Sequence, residues 1–381
     1  MKTSLLSLIV AAATIATSTA ADGPLVYFGT YTKGKSKSEG IYVSRLNPKT
    51  GELSAPELAG KVTNPSFVAI HPNHRFLYSV SEVATEGGKP GGAVTAFSID
   101  QTTGKLTELN AESSGGAGPC HLSVDPSGKV VIVANYGGGS CASLAVAEDG
   151  SLKPASSFIQ HEGSSINPRR QKEPHAHSAN TSPDGRFAFV ADLGIDKIKT
   201  YSLDAEAATL TPHGETQITP GSGPRHFAFH PSGKFAWVIN ELSLSVTGFR
   251  YDAEKGMLTE IQSISTIPDA DRNREGLSTA EIQAHPSGKF VFGSNRGHDT
   301  IAVYQVDEAT GQLTFVEVEP IRGETPRNFG IDPSGRFLLA AGQASNTISV
   351  FAIDPKTGEL TDTGHGISVD APVCARFLPL P

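Results

Sequence analysis

A proline corner that returns six times constrains this chain more than any other feature. It reads His71-Pro72-Asn73, then Asp125-Pro126-Ser127-Gly128, Ser182-Pro183-Asp184-Gly185, His230-Pro231-Ser232-Gly233, His285-Pro286-Ser287-Gly288 and Asp332-Pro333-Ser334-Gly335. The prolines stand 54, 57, 48, 55 and 47 residues apart. Proline presets φ at the second turn position and glycine accepts positive φ, so each corner predicts a tight β-turn. Short aromatic and β-branched runs flank the corners, such as 66–70 and 76–80 around the first and 226–229 and 235–239 around the fourth. Runs of that kind between turn residues mark strands. A second turn recurs as Thr50-Gly51-Glu52-Leu53, Thr103-Gly104-Lys105-Leu106, Thr310-Gly311-Gln312-Leu313 and Thr357-Gly358-Glu359-Leu360. Each unit then holds four antiparallel strands in about fifty residues, the size of one propeller blade.

The two ends complete the count. Residues 371–377 repeat the first-strand pattern with nothing after them, while 25–30, 41–44 and 50–53 supply the missing remainder at the start of the chain. One blade shared by both termini closes the ring and removes open sheet edges. The predicted fold is therefore an all-β, seven-bladed β-propeller of four-stranded antiparallel blades. A closed ring of repeats also explains how 381 residues can form one domain.

Lys2, an apolar run over 5–15 and the small residues Thr17-Ser18-Thr19-Ala20 have the layout of a secretory signal peptide cut near Ala20. The run is too short to span a bilayer. We therefore expect 1–20 to be a leader, 21–381 to be the propeller domain, and the product to be secreted or periplasmic, with no membrane partner. The 40 glycines and 25 prolines exclude sustained coiled-coil heptads, and a formal charge of −8 argues against nucleic acid as the main partner. Cys120, Cys141 and Cys374 are too few for a disulfide framework, and their spacing fits no zinc signature.

Propeller geometry turns the repeat into a map. The start of each first strand and the end of each second strand meet at one mouth of the central channel. Five residues before the corner proline stand Phe67, His121, His226, Glu281 and Asn328, with Cys374 in the shared blade; six before it stand Arg225 and Arg327. His177 joins the first set if its blade carries one extra residue. Ten after the proline stand Glu82, Tyr136, Glu241, Arg296 and Gln343, and nine after it Asn135, Asp192, Asn240 and Asn295. Any one of these could be a solvated group or a strand cap. As a set they stand out, because the corner end carries only turn residues, His71, His230 and His285 among them. Charged groups gathered at a concave mouth shift one another's pKa, which marks a candidate site. His175 and His177, two apart on a strand, could chelate a metal together. Arg225 and Arg296 would oppose a dication there, and no metal is expected.

The segments Glu173-Pro174-His175-Ala176-His177, Gly223-Pro224-Arg225-His226, Asn240-Glu241-Leu242, Ala280-Glu281-Ile282, Ser294-Asn295-Arg296-Gly297 and Thr325-Pro326-Arg327-Asn328 resemble the seven-bladed lactonase family. That family includes propeller-type 6-phosphogluconolactonases and carboxy-muconate lactonising enzymes. The resemblance implies a cofactor-free lactone hydrolase, or a cycloisomerase that makes a lactone, acting on a small-molecule lactone or organic acid. It implies catalytic roles for His177, Arg225, Arg296 and Glu241. From their places at the mouth, His121, His175, His226, Glu281, Arg327, Asn328 and Gln343 are expected to contact substrate. Export sits poorly with a cytosolic sugar phosphate, so the phosphorylated substrate need not carry over.

A neutral His177 can take a proton from water, with Glu241 orienting it or serving as the alternative base, while Arg225 and Arg296 stabilise the oxyanion. No Gly-x-Ser-x-Gly elbow is present. Cys120 and His121 are neighbours on a strand and should point to opposite faces, so direct water attack is expected over a covalent intermediate. A non-catalytic propeller presenting its mouth to a protein or glycan is the rival, but partner sites favour aromatic anchors.

Overall fold

The computed structural model describes residues 23–86 and 89–379. The expected leader lies outside them. Among the described residues are seven four-stranded antiparallel sheets and a short hairpin, Thr85–Glu86 with Lys89–Pro90. The sheets form the predicted seven-bladed propeller. Blade one runs through Val68–Ile70, Phe76–Ser81, Ala93–Ile99 and Leu106–Ser113, and blades two to six follow in chain order. Blade seven takes its innermost strand from the C-terminal end, Pro372–Leu378, and its other three from Leu25–Thr30, Gly40–Arg45 and Glu57–Lys61. All six residues of Leu25–Thr30 are buried, so the closing pair is core rather than trim.

Apolar clusters fill the spaces between neighbouring blades. Phe189 of blade three stacks on Phe227 of blade four with ring centroids 5.7 Å apart. Polar latches repeat around the ring as well. The corner imidazoles donate from Nε2 to the corner glycine of the next blade: His71 to Gly128 O (2.8 Å), His230 to Gly288 O (2.9 Å), His285 to Gly335 O (2.7 Å). Each Nδ1 accepts a backbone N–H of its own turn. These histidines are thus turn bonders, as expected, and also tie blade to blade. Tyr27, Tyr78 and Trp237 on second strands donate in the same way to Gly104 O, Gly150 O and Gly311 O.

One local irregularity positions the site. Pro119 pairs with Asn135 and His121 with Ala134, so Cys120 is skipped by the ladder. The same slip skips His177, Arg225, Arg327 and Val373 in blades three, four, six and seven. A β-bulge turns both the skipped residue and its successor toward the channel. This corrects the register expected for blade three. His177 needs no extra residue there, because it occupies the bulge position of Arg225 and Arg327, six before the corner proline.

Candidate active site

The bulge residues rise into a pocket of about 280 Å³ at one mouth, lined by Glu82, Cys120, Tyr136, Arg170, His177, Glu241, Ser278, Arg296 and Arg327. Glu241 is its anchor. Arg225 Nε donates to Glu241 Oε2 at 3.0 Å, Arg296 Nη2 lies 2.9 Å from the same oxygen, and Arg170 Nη2 donates to Oε1 at 2.7 Å. Burial pushes the Glu241 carboxyl up, but the three guanidiniums outweigh it and hold the group down at about 2. Arg225 is only 1% exposed and spends Nη1 on Ala280 O. Burial, with Arg327 and Arg296 beside it, pulls it down to about 9. It remains charged at neutral pH.

His177 is buried, and burial first, then Arg225, His226 and Arg327, holds its proton affinity well below the ordinary 6.5. Its imidazole is neutral at pH 7. Its ring meets Tyr136 edge-on at 5.1 Å and His226 at 5.3 Å. Arg327 has a different role from the other guanidiniums: among the described residues no carboxylate or hydrogen-bond acceptor engages it. The Tyr31 ring lies against it, 5.5 Å from its Cζ. Tyr31 Oη in turn donates to Glu82 at 3.1 Å. Burial pulls Arg327 down, but Tyr31, Glu82 and Glu241 outweigh it and raise its pKa. Among the described residues, the pocket together with the buried Arg225 beside it thus sets four guanidiniums against two carboxylates.

The other predicted residues are distributed differently. His175 stacks on Tyr136 at 4.6 Å and donates from Nδ1 to Tyr136 O at 3.0 Å. His175 and His177 each pack on Tyr136, and no cluster of three or more metal-ligating side chains is formed among the described residues. Gln343, expected at the mouth, lies in an adjacent hollow with Tyr31, Lys33, Lys35, Asn64 and Asn346. His121, His226, Glu281 and Asn328 sit one layer deeper. His226 Nδ1 is 3.2 Å from Glu281 Oε1, and Asn328 Nδ2 donates to Glu281 Oε2. His121 and Glu281 line a hollow that opens on the corner side. The expected convergence on one mouth thus becomes two layers, because the bulge residue and its successor face the channel at different depths.

Arg170 was not foreseen. It reaches the mouth from the long connection 161–175, donating also to Tyr136 Oη at 3.1 Å. The length of that connection between short-looped blades was the available signal, since long ordered loops are often functional. The loop is pinned by Asp192, which accepts from His161 Nδ1 at 2.6 Å and from His175 N at 2.7 Å. Arg376, whose Nη2 lies 3.5 Å from Glu281 Oε2, escapes the sequence for another reason: its segment reads only as a closing strand.

Comparison with known proteins finds the same fold. A family model described as a seven-bladed β-propeller lactonase matches residues 25–377. A 6-phosphogluconolactonase of Bacillus subtilis is 41% identical over 92% of this chain and 97% of its own. One from Formosa agariphila is 36% identical over 81% and 86%. The solved periplasmic gluconolactonase of Pseudomonas aeruginosa superposes with a TM-score of 0.86 at 34% identity, covering 94% of this chain and 99% of its own.

Proposed function

Since the chain belongs to the seven-bladed β-propeller lactonase family, we propose that it hydrolyses a sugar lactone by direct attack of water. The observation that carries this reading is the meeting of a neutral buried imidazole, His177, with the unengaged guanidinium of Arg327 across one small pocket. A base that is free of its proton near pH 7 can deprotonate water at the lactone carbonyl. His177 has that role. Arg296 and Arg327 face the developing oxyanion and any acidic substituent of the substrate, where fixed cations in a pocket shielded from water act strongly. Glu241 holds Arg225, Arg296 and Arg170 in place and keeps their charges tolerable to one another. As the attacking oxygen bonds to the carbonyl carbon, the ring C–O bond breaks and His177 returns a proton to the departing alkoxide.

The surplus of guanidinium over carboxylate at the mouth favours an anionic or strongly polar substrate and disfavours a bound dication. The reading therefore assigns no metal to the step. The relatives' printed activities support a six-carbon aldonolactone, with or without phosphate. Export to the periplasm or beyond fits the leader-like first twenty residues and the periplasmic relative, and it favours the unphosphorylated sugar. The same guanidiniums would also suit a muconate-type polyacid undergoing cyclisation.

A pH-indicator assay of the purified protein tests the reading. The panel is δ-gluconolactone, its 6-phosphate and a carboxy-muconate, each with and without a strong chelator. Acid release from an aldonolactone that is indifferent to the chelator is the expected result. No acid release from any lactone would remove the hydrolase assignment.

A further inference from the structure

The channel below the mouth is lined by polar atoms that no protein group satisfies. Ser66 Oγ, Ser178 Oγ, Ser123 Oγ and Asn180 Nδ2 are buried without a hydrogen-bond partner. Ser123, Ser178 and Asn180 stand at channel-facing positions of first strands and Ser66 just ahead of such a strand; they lie six, five or three residues before a corner proline. Buried polar groups rarely go unpaired, and water is the small ligand that supplies two to four bonds in so narrow a space. Imidazoles and a carboxylate run through the same passage. His177 is 5.3 Å from His226, ring to ring, and His226 is 5.1 Å from His121; His226 Nδ1, itself without a hydrogen-bond partner, lies 3.2 Å from Glu281 Oε1. Glu281, His121 and Asn180 line the hollow of about 320 Å³ on the opposite face.

Lactone hydrolysis needs an exit for a proton. Water adds across the acyl C–O bond; one of its protons passes through His177 to the departing alkoxide, and His177, neutral again, takes the other from the new carboxylic acid. A proton leaving by the mouth would have to pass four guanidiniums and the product anion. We propose that the central channel is a water-filled proton path, in which His226 and Glu281 carry the proton from His177 to the hollow on the opposite face. The inference rests on the reading of His177 as the base. Cys120, Tyr136, Arg225 and Arg327 face His177; Arg225, Arg376, Arg327 and Arg296 face His226. Arg376, His121, Arg225 and Asn328 face Glu281. Burial lowers the proton affinity of both imidazoles and raises that of Glu281, so a proton is not trapped midway and finds a willing acceptor beyond. His226 and Glu281 are positioning and relay residues, out of reach of the substrate.

Two variants test the path, Glu281→Gln inside the relay and Asn180→Leu, which puts an apolar group at its lower end without touching a buried charge. In dilute buffer each should lower kcat about tenfold with KM unchanged, move the pH profile of kcat, and recover when excess small imidazole buffer accepts the proton instead. Parent-like kcat and pH profile for Asn180→Leu in dilute buffer, or a loss that imidazole leaves untouched, would overturn the proposal, whatever becomes of Glu281→Gln. A His177→Gln control separates the two ideas. If it is inactive while both channel variants behave as parent, only the path fails; if it is active, the base assignment fails first.

Discussion

The Cys120 thiol lies 3.6 Å from Nδ1 of His177 and donates to the His177 carbonyl at 3.4 Å. The two residues belong to different blades and meet because each occupies the bulge of its first strand. A cysteine beside a histidine in a pocket invites the idea of a thiolate nucleophile. Burial argues against it, since it pushes the Cys120 thiol up, well above its ordinary range, and Glu82 adds to the shift. A nucleophilic cysteine needs the opposite environment. Cys120→Ala should therefore keep kcat/KM within about threefold of the parent, whereas loss of a covalent nucleophile costs on the order of 10³ or more. Steady-state kinetics on the lactone decides between them.

In the proposed mechanism Arg170 acts through its contacts with Glu241 and Tyr136, and its two-pronged hold should matter more than its charge. Arg170→Ala should lower kcat/KM by about tenfold, with little effect on stability because the side chain is partly exposed. Arg170→Lys should recover only a fraction, since an ammonium cannot span both acceptors in the same way. Full activity in both variants would show that the loop contributes nothing to the mouth.

Stability should fall with acid before the carboxylates titrate. His121, His177 and His226 are buried with proton affinities held well below 6.5, by burial first and by neighbouring charge second. The unfolded chain protonates them near 6.5 while the folded chain does not, so folding loses ground as pH drops below that value. Each costs up to roughly 1.4 kcal/mol per pH unit. Glu281 works the other way, because its folded pKa is raised and the folded state gains its proton first as pH falls. Glu241, held at about 2, stabilises the fold above its unfolded value near 4.5, and that contribution fades as pH falls from there toward 2. Urea midpoints at pH 7 and pH 5.5 should differ clearly; equal midpoints would contradict the neutral channel histidines.

The blade-to-blade latches predict a separation of stability from activity. His230→Ala removes the bond to Gly288 O and leaves a buried carbonyl and the Ser232 N–H without that partner. A loss of about 1–3 kcal/mol is expected, with kcat/KM unchanged, because the corner end lies opposite the mouth. Thermal melting and one kinetic assay on the same sample measure both.

What the sequence disclosed and what it withheld follow one physical line. Turn chemistry at Pro72 through Pro333 is local, so the corners, the blade count and the sharing of blade seven by both termini could be counted directly. The residue types around the mouth could be found too, because strand ends in a ring must converge. Bulges are not local in that sense. Whether Cys120 and His121 point to opposite faces depends on a ladder slip against Asn135 and Ala134, which no alternation rule announces. The same slip hid the true register of His177 and split the polar set into two depths. Arg170 was hidden differently, since the path of a long loop is set by its anchors, here His161 and Asp192, and not by any period.

The central claim is that a neutral His177 activates water at the mouth of the propeller. Comparing kcat/KM for aldonolactone hydrolysis between the parent and His177→Gln, with the melting temperature followed on the same preparations, tests it most directly. A fall of about 10² to 10⁴ with the melting temperature held is the predicted result. Parent-like turnover by a folded His177→Gln protein would contradict it.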